Sequence, residues 1–258
     1  MTCHIYNWEA VGLSRFAGLV PRPLPETYGA LNPEDVKRAI KRKTRYSART
    51  SIVCIENTHN EAGGTIITPD QVDALAEVAH SYDLKLHCDG SRIFNAAVAL
   101  NTDVAEFTRS LDSVTFCLSK GLSCPIGAVI CGSESFIKEA WNWKQMIGGG
   151  MRQAGIIAAP GIVALEKMVD RLREDHANAR ILGEGMARID GISIDLKTVQ
   201  TNIVRFQPDG LGVSEEEFVS RLSRHGILTG ATRMVTHRHI TRVDVEYVLE
   251  TIRKEFGR

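Results

Sequence analysis

Three apolar runs of strand length each break off into polar residues, with helix-patterned sequence between them. This alternation restricts the fold more than any other feature of the chain. Residues 51–56 (SIVCIE) run into Asn57-Thr58-His59-Asn60. Residues 84–89 (LKLHCD) run into Gly90-Ser91-Arg92, and residues 114–118 (VTFCL) into Ser119-Lys120. Between the first two lies Thr68-Pro69-Asp70-Gln71, a helix start with capping-box spacing. The apolar face Val72, Leu75, Ala76, Val78 and Ala79 follows it. A helix-like segment over 104–109 separates the second run from the third. Strand alternating with helix predicts an α/β fold with a mostly parallel sheet covered by helices. Such sheets bind ligands beyond the carboxyl ends of their strands. The three polar endings are therefore expected at one crevice.

The remaining elements are read by the same signals. The chain is expected to begin within or just before a strand. Asn32-Pro33-Glu34-Asp35 opens a helix that runs to about residue 43. Helix starts are also expected near Ser91 and after Lys120. Residues 128–131 (AVIC) read as a strand and 133–143 as a helix. After Gly148-Gly149-Gly150, residues 153–186 read as one or two long helices. A strand over 202–206, a helix from Ser214 to Gly226, a short strand over 233–235 and a helix over 243–256 complete the chain. The division expected is a large domain over 1–175 and a smaller α/β domain over 176–258.

Composition excludes several classes. Thirty-one Lys and Arg balance 31 Asp and Glu, so the chain lacks the cationic field of a nucleic-acid or anionic-membrane binder. Hydrophobic residues at 43% suffice for a sizeable core. No apolar run approaches the roughly 20 residues of a membrane helix, and the amino-terminal sequence is not patterned as a signal peptide. Cys3, Cys54, Cys88, Cys117, Cys124 and Cys131 form no CxxC pair. They read as small buried hydrophobes of a reducing cytoplasm rather than as disulfides. His237 and His239 have HxH spacing but no obvious third ligand, so no metal is expected.

The lysine at the end of 114–118 is the chemically pointed residue. Lys120 with Asp89 at a neighbouring strand end can be read as a partly buried ion pair. Gly121 and Gly127, which flank the lysine, favour a second reading, since small neighbours leave room for a flat ligand. Lysine forms Schiff bases when its environment lowers its pKa. An aspartate facing a pyridine nitrogen keeps that nitrogen charged, which is the chemistry of pyridoxal 5'-phosphate (PLP).

ENTHN, HCDGSRIFNAAVA, LSKGLSCPIG and GGGMRQAG, with HIYNWEAVG near the start and TRMVTH near the end, together resemble the low-specificity L-threonine aldolases. These belong to the aspartate-aminotransferase-like PLP enzymes (fold type I) and are close to the beta-eliminating lyases. The resemblance covers essentially the whole chain. It implies a lyase that cleaves L-threonine or L-allo-threonine to glycine and acetaldehyde, working as a homodimer or homotetramer. Lys120 is similar to the lysine that holds PLP, Asp89 to the partner of its pyridine nitrogen. Arg92 matches the arginine beside the cofactor hydroxyl and substrate carboxylate. His4 matches the histidine stacked on the ring, and His59 the histidine near the substrate hydroxyl. Arg152 resembles an arginine that reaches a phosphate across a subunit interface, and Arg233 one that binds the substrate carboxylate. Residue chemistry alone leaves other roles open. His4 can be ordinary packing beside aromatics. His59 can be a hydrogen-bonding turn residue, Arg152 a helix cap and Arg233 an edge-strand residue.

The family's DLRSDTVT-like arm and the Gly-Thr loop that opens a phosphate-binding helix have no counterpart in these 258 residues. The expectation is a large domain incomplete at its amino terminus, with one sheet face uncovered. This chain alone is expected to retain PLP weakly and to show little aldolase activity; the alternatives are another PLP-dependent β-eliminating lyase and a catalytically impaired form that serves as a binding or oligomerisation module.

Overall fold

Strand and helix alternate as the apolar runs predict in a computed structural model that describes residues 2–257. The chain divides into two units. One takes the residues up to His59 together with Ile66–Val169, and the other takes Asn60–Thr65 together with Asp170 onward. The first unit opens with helices α1 (His4–Asn7) and α2 (Gly12–Ala17), and then a minimal hairpin, β1 (Glu26–Thr27) and β2 (Ala30–Leu31). It continues through α3 (Pro33–Ala39), β3 (Ile52–Glu56), α4 (Pro69–Ser81), β4 (Lys85–Asp89), α5 (Ile93–Leu100), α6 (Val104–Thr108), β5 (Ser113–Cys117), β6 (Ala128–Gly132), α7 (Glu134–Met146) and α8 (Gly155–Lys167). The described chain thus starts in a helix rather than a strand. Cys3 caps α1 in extended conformation, and the amides of Tyr6 and Asn7 fold back on the Cys3 carbonyl at 3.2 Å.

The sheet runs β3-β4-β5-β6, with the first three strands parallel and β6 antiparallel to β5. Helix α4 forms because Thr68 and Gln71 satisfy each other's amides, at 2.9 Å and 3.4 Å, with Pro69 at the first position. Its buried stripe of Val72, Leu75, Ala76 and Ala79 packs with Val53, Ile55, Leu86 and Cys88 of the strands. Burying Leu75 or Val72 contributes about 1.5–3 kcal/mol each. At the amino end of the strands Asp112 gathers three donors. Lys85 Nζ and the Leu86 amide each donate at 2.8 Å, and His80 Nε2 lies at 2.9 Å. Burial pushes the Asp112 carboxyl up, but these hydrogen bonds outweigh it and hold the pKa at about 2.

Two further expectations give way here. Helix α3 ends at Ala39 rather than near residue 43 because Ile40 turns extended. Lys41 then pairs with Thr50, its carbonyl accepting at 2.9 Å and its amide donating to Thr50 Oγ1 at 3.0 Å. No helix starts directly after Lys120. Residues 118–127 turn back instead: Ser123 N donates to Lys120 O, Cys124 N to Leu118 O and Leu118 N to Gly127 O, all at 2.9–3.0 Å. Gly127, at φ +120°, makes the reversal into β6. The strand so formed is largely exposed, and Cys131 with it. Beyond it, α7 buries none of its residues and α8 only Gly161 and Ala164.

The second unit carries α9 (Leu172–Met186), β7 (Ile203–Arg205), α10 (Glu215–Ser223), β8 (Arg233–Val235) and α11 (Arg242–Phe256). Strands β7 and β8 pair antiparallel, with Arg205 opposite Arg233. Phe206, Phe218 and Phe256 form its aromatic centre. A buried polar network fixes α9. Arg171 grips Asp175 with two hydrogen bonds, at 2.7 and 3.1 Å, and Thr236 Oγ1 donates to the Asp175 carbonyl at 2.6 Å.

Candidate active site at the carboxyl edge of the sheet

The three parallel strands end in step. Glu56 lies opposite Asp89, and Asp89 opposite Thr115. Hydrogen bonds carry the pairing past the strands: Asn57 N to Asp89 O at 2.9 Å, Gly90 N to Thr115 O at 2.8 Å and Cys117 N to Ser91 O at 3.3 Å. The polar endings therefore leave the sheet along one edge, where ligands of such folds bind.

Asp89 is half-buried. Its Oδ1 accepts from Ser91 Oγ at 2.7 Å and from the Ser91 amide at 3.1 Å, while Oδ2 has no partner among the described residues. One oxygen is thus fixed and the other is available to a ligand donor. Arg92 follows at the cap position of α5 and is half-buried. Lys120 stands exposed in the turn after β5 and pairs with no carboxylate among the described residues. The Lys120–Asp89 ion pair that residue chemistry allows is not formed, and both groups stay open to a ligand.

His4 is tied to the same edge by Glu56, whose side chain is 4% exposed. The His4 amide donates to Glu56 Oε2 at 2.6 Å, and His4 Nδ1 lies 3.0 Å from Oε1. Burial raises the pKa of neighbouring Cys3, and the Glu56 charge raises it further. His59, three residues beyond β3, is 1% exposed. It packs under the β1–β2 hairpin, where a Cβ on Gly29 would lie 2.5 Å from His59 Cβ. Its Nε2 is 3.5 Å from Glu26 Oε2.

Two predicted residues are carried on other elements. Arg152 is exposed between α7 and α8, with no hydrogen bond or ion pair among the described residues. Arg233 is half-buried on β8 in the second unit, where its Nη1 donates to Asn60 Oδ1 at 2.7 Å. Sequence reasoning gave no role to Glu56 or Glu26. A signal existed for Glu56, an acid closing an otherwise apolar strand, but its partner stands 52 residues away. Among the described residues no three His, Cys, Asp or Glu side chains cluster to hold a metal ion. No helix among them is long and apolar enough to cross a membrane.

Comparison with known proteins places this arrangement in a family. Residues 1–208 match the beta-eliminating lyase family. The chain is 36% identical over 256 residues to low-specificity L-threonine aldolase 1 of Arabidopsis thaliana, a match that spans 96% of this chain and 72% of the relative. Among solved structures, the threonine aldolase of Leishmania major superposes with a TM-score of 0.77 at 16% identity, over 99% of this chain and 75% of that one. An engineered aspartate aminotransferase of Thermus thermophilus superposes with a TM-score of 0.66 at 18% identity, over 95% and 70%. The fold is that of these enzymes, and the chain belongs to the beta-eliminating lyase family, in its threonine aldolase branch.

Proposed function

We propose that this chain is a PLP-dependent aldehyde-lyase that cleaves L-threonine and L-allo-threonine to glycine and acetaldehyde. The observation that carries the reading is the 36% identity to a plant threonine aldolase across 96% of the chain. The residues at the sheet edge fit the cofactor. Asp89 offers Oδ2 to a ring N–H with its other oxygen already fixed by Ser91, and Lys120 offers an unpaired amine. When bound, PLP supplies an electron sink for the carbanion left as the Cα–Cβ bond breaks. Asp89 would keep the ring nitrogen protonated, Lys120 would be the point of covalent attachment, and Arg92 would take the cofactor hydroxyl side and the substrate carboxylate. His4 would stack on the ring. His59, with Glu26 at 3.5 Å, is the histidine on the substrate hydroxyl side and receives that proton directly or through water. Arg233 also serves the substrate carboxylate. Apart from Nη1, its donors have no partner among the described residues, which supports that role.

The reading extends to assembly and location. The exposed, unpaired Arg152 after three glycines suits a homodimer or homotetramer in which it reaches a neighbour's phosphate site. Six free cysteines suit the cytoplasm. The deciding experiment is acetaldehyde release from L-threonine by the purified chain with added PLP, together with borohydride trapping and peptide mapping. Acetaldehyde with label on Lys120 supports the reading. No acetaldehyde, or label on another lysine, overturns it.

A further inference from the structure

Glu56 is a charged side chain at 4% exposure on an otherwise apolar strand. Such burial is costly unless the charge is fully hydrogen-bonded. Each of its oxygens meets His4: Oε2 receives the His4 amide at 2.6 Å, and Oε1 lies 3.0 Å from His4 Nδ1. An ionised carboxylate only accepts hydrogen bonds, so Nδ1 must carry a proton to pair with it. The other ring nitrogen, Nε2, makes no hydrogen bond among the described residues, and the ring is 27% exposed. A histidine's chemistry is set by the hydrogen bond its far nitrogen makes. We propose that Glu56 is a positioning residue: its buried carboxylate holds the His4 imidazole with Nδ1 protonated, so that Nε2 is the lone-pair nitrogen presented to the ligand.

The same carboxylate also fixes where the ring can stand. Binding the backbone amide and the ring of one residue clamps His4 at the first turn of α1, so the imidazole cannot swing without breaking a charge-assisted hydrogen bond. In register Glu56 is paired with Asp89, the carboxylate assigned to the ring nitrogen. Neighbouring strand ends thus place one carboxylate that orients a histidine beside one that meets the cofactor. The ligand-facing part of the inference rests on the aldolase reading above; the tautomer of His4 does not.

The isosteric change Glu56→Gln inverts the arrangement, which makes the inference testable. A glutamine has one acceptor oxygen and one NH₂ where the glutamate has two acceptors. If the oxygen keeps the His4 amide, the NH₂ faces Nδ1, which must then accept, and the ring proton moves to Nε2. The opposite orientation sets the NH₂ against the backbone N–H, leaving buried donors unpaired at higher cost. The experiment is ¹⁵N NMR of histidine-labelled, cofactor-free protein at a pH above imidazole titration, with His4→Gln identifying the resonances. The parent is expected to show His4 wholly as the Nδ1–H tautomer, and Glu56→Gln to move the proton to Nε2. The parent spectrum alone tests the inference should the variant fail to fold. A parent His4 protonated on Nε2, or averaging between tautomers, overturns it, as does a folded Glu56→Gln that keeps Nδ1–H. If the tautomers behave as stated while the loaded protein releases no acetaldehyde, the aldolase reading fails and the positioning role stands.

Discussion

The sharpest packing constraint near the site lies between Gly29 and His59, and a single methyl group tests it. Gly29 has φ +83°, and a Cβ there would sit 2.5 Å from His59 Cβ and 2.6 Å from Cγ. Gly29→Ala therefore carries two costs. A left-handed backbone costs a non-glycine residue about 1–2 kcal/mol. Forcing a methyl into a filled site costs a further ~1–3 kcal/mol in displaced side chains. The expected loss is thus about 2–5 kcal/mol of unfolding free energy, the sum of those two terms. Gly18 supplies the control. It has φ +63°, and a methyl added there would meet nothing within 4 Å, so Gly18→Ala carries the backbone cost alone. The nearest obstruction is His59 Cβ, so His59→Ala leaves the clash in place while His59→Gly relieves it. The assay is urea unfolding of the parent, the two alanine variants and the Gly29→Ala/His59→Gly pair in a double-mutant cycle. If Gly29→Ala costs no more than Gly18→Ala, or the cycle shows no coupling, the hairpin does not press on His59.

Three other outcomes are expected. Asp175→Ala should destabilise the protein by about 1.5–3 kcal/mol, since it removes the carboxylate that the Arg171 guanidinium binds at two points and leaves it Glu174 at 3.5 Å; thermal or urea unfolding reads the loss. His176 is depressed from 6.5 to about 4, first by burial and then by the Arg173 charge. Its proton is taken up by the unfolded chain first, so stability is unaffected above pH 6.5 and falls between pH 6.5 and 4, by ~3 kcal/mol in all at 1.36 kcal/mol per unit; His176→Gln should remove that part of the pH profile. Burial pushes Cys54 up to about 12 and raises Cys88 too, whereas Cys131 is exposed on β6. Brief alkylation of the native protein should modify Cys131 and spare those two, as peptide mapping would show.

Local signals carried most of the fold. The capping box at Thr68 and Gln71 placed the start of α4 to the residue, because cap chemistry is complete within one turn. The endings of β3, β4 and β5 were legible because apolar runs stop where the sheet stops. What escaped depends on distance along the chain or on minimal length. Two-residue strands such as β1 and β2 are too short to show a period. The antiparallel β6 reads like a buried strand, since AVIC is apolar, yet an edge position leaves it exposed. Asp89 and Lys120 could be singled out locally because Asp89 closes β4 and Lys120 stands three residues beyond β5. The roles of Glu56 and Glu26 were not, because their histidine partners stand 52 and 33 residues away and no local pattern announces such pairs.

Asp112 sits at the far end of the strands from all of this chemistry, yet it works as the zero mark of a ruler. It holds the first residues of β4 and the end of α4 against the start of β5. From that mark the strands advance about 3.3 Å per residue, so the distance to the carboxyl edge is counted out in whole residues. A one-residue slip would turn every strand side chain to the opposite face, Asp89 included. Loops at the carboxyl edge can therefore be exchanged in an engineering campaign without re-zeroing the sheet. A library that randomises Asp112 would remove that mark and leave the register to the buried apolar pattern of the sheet.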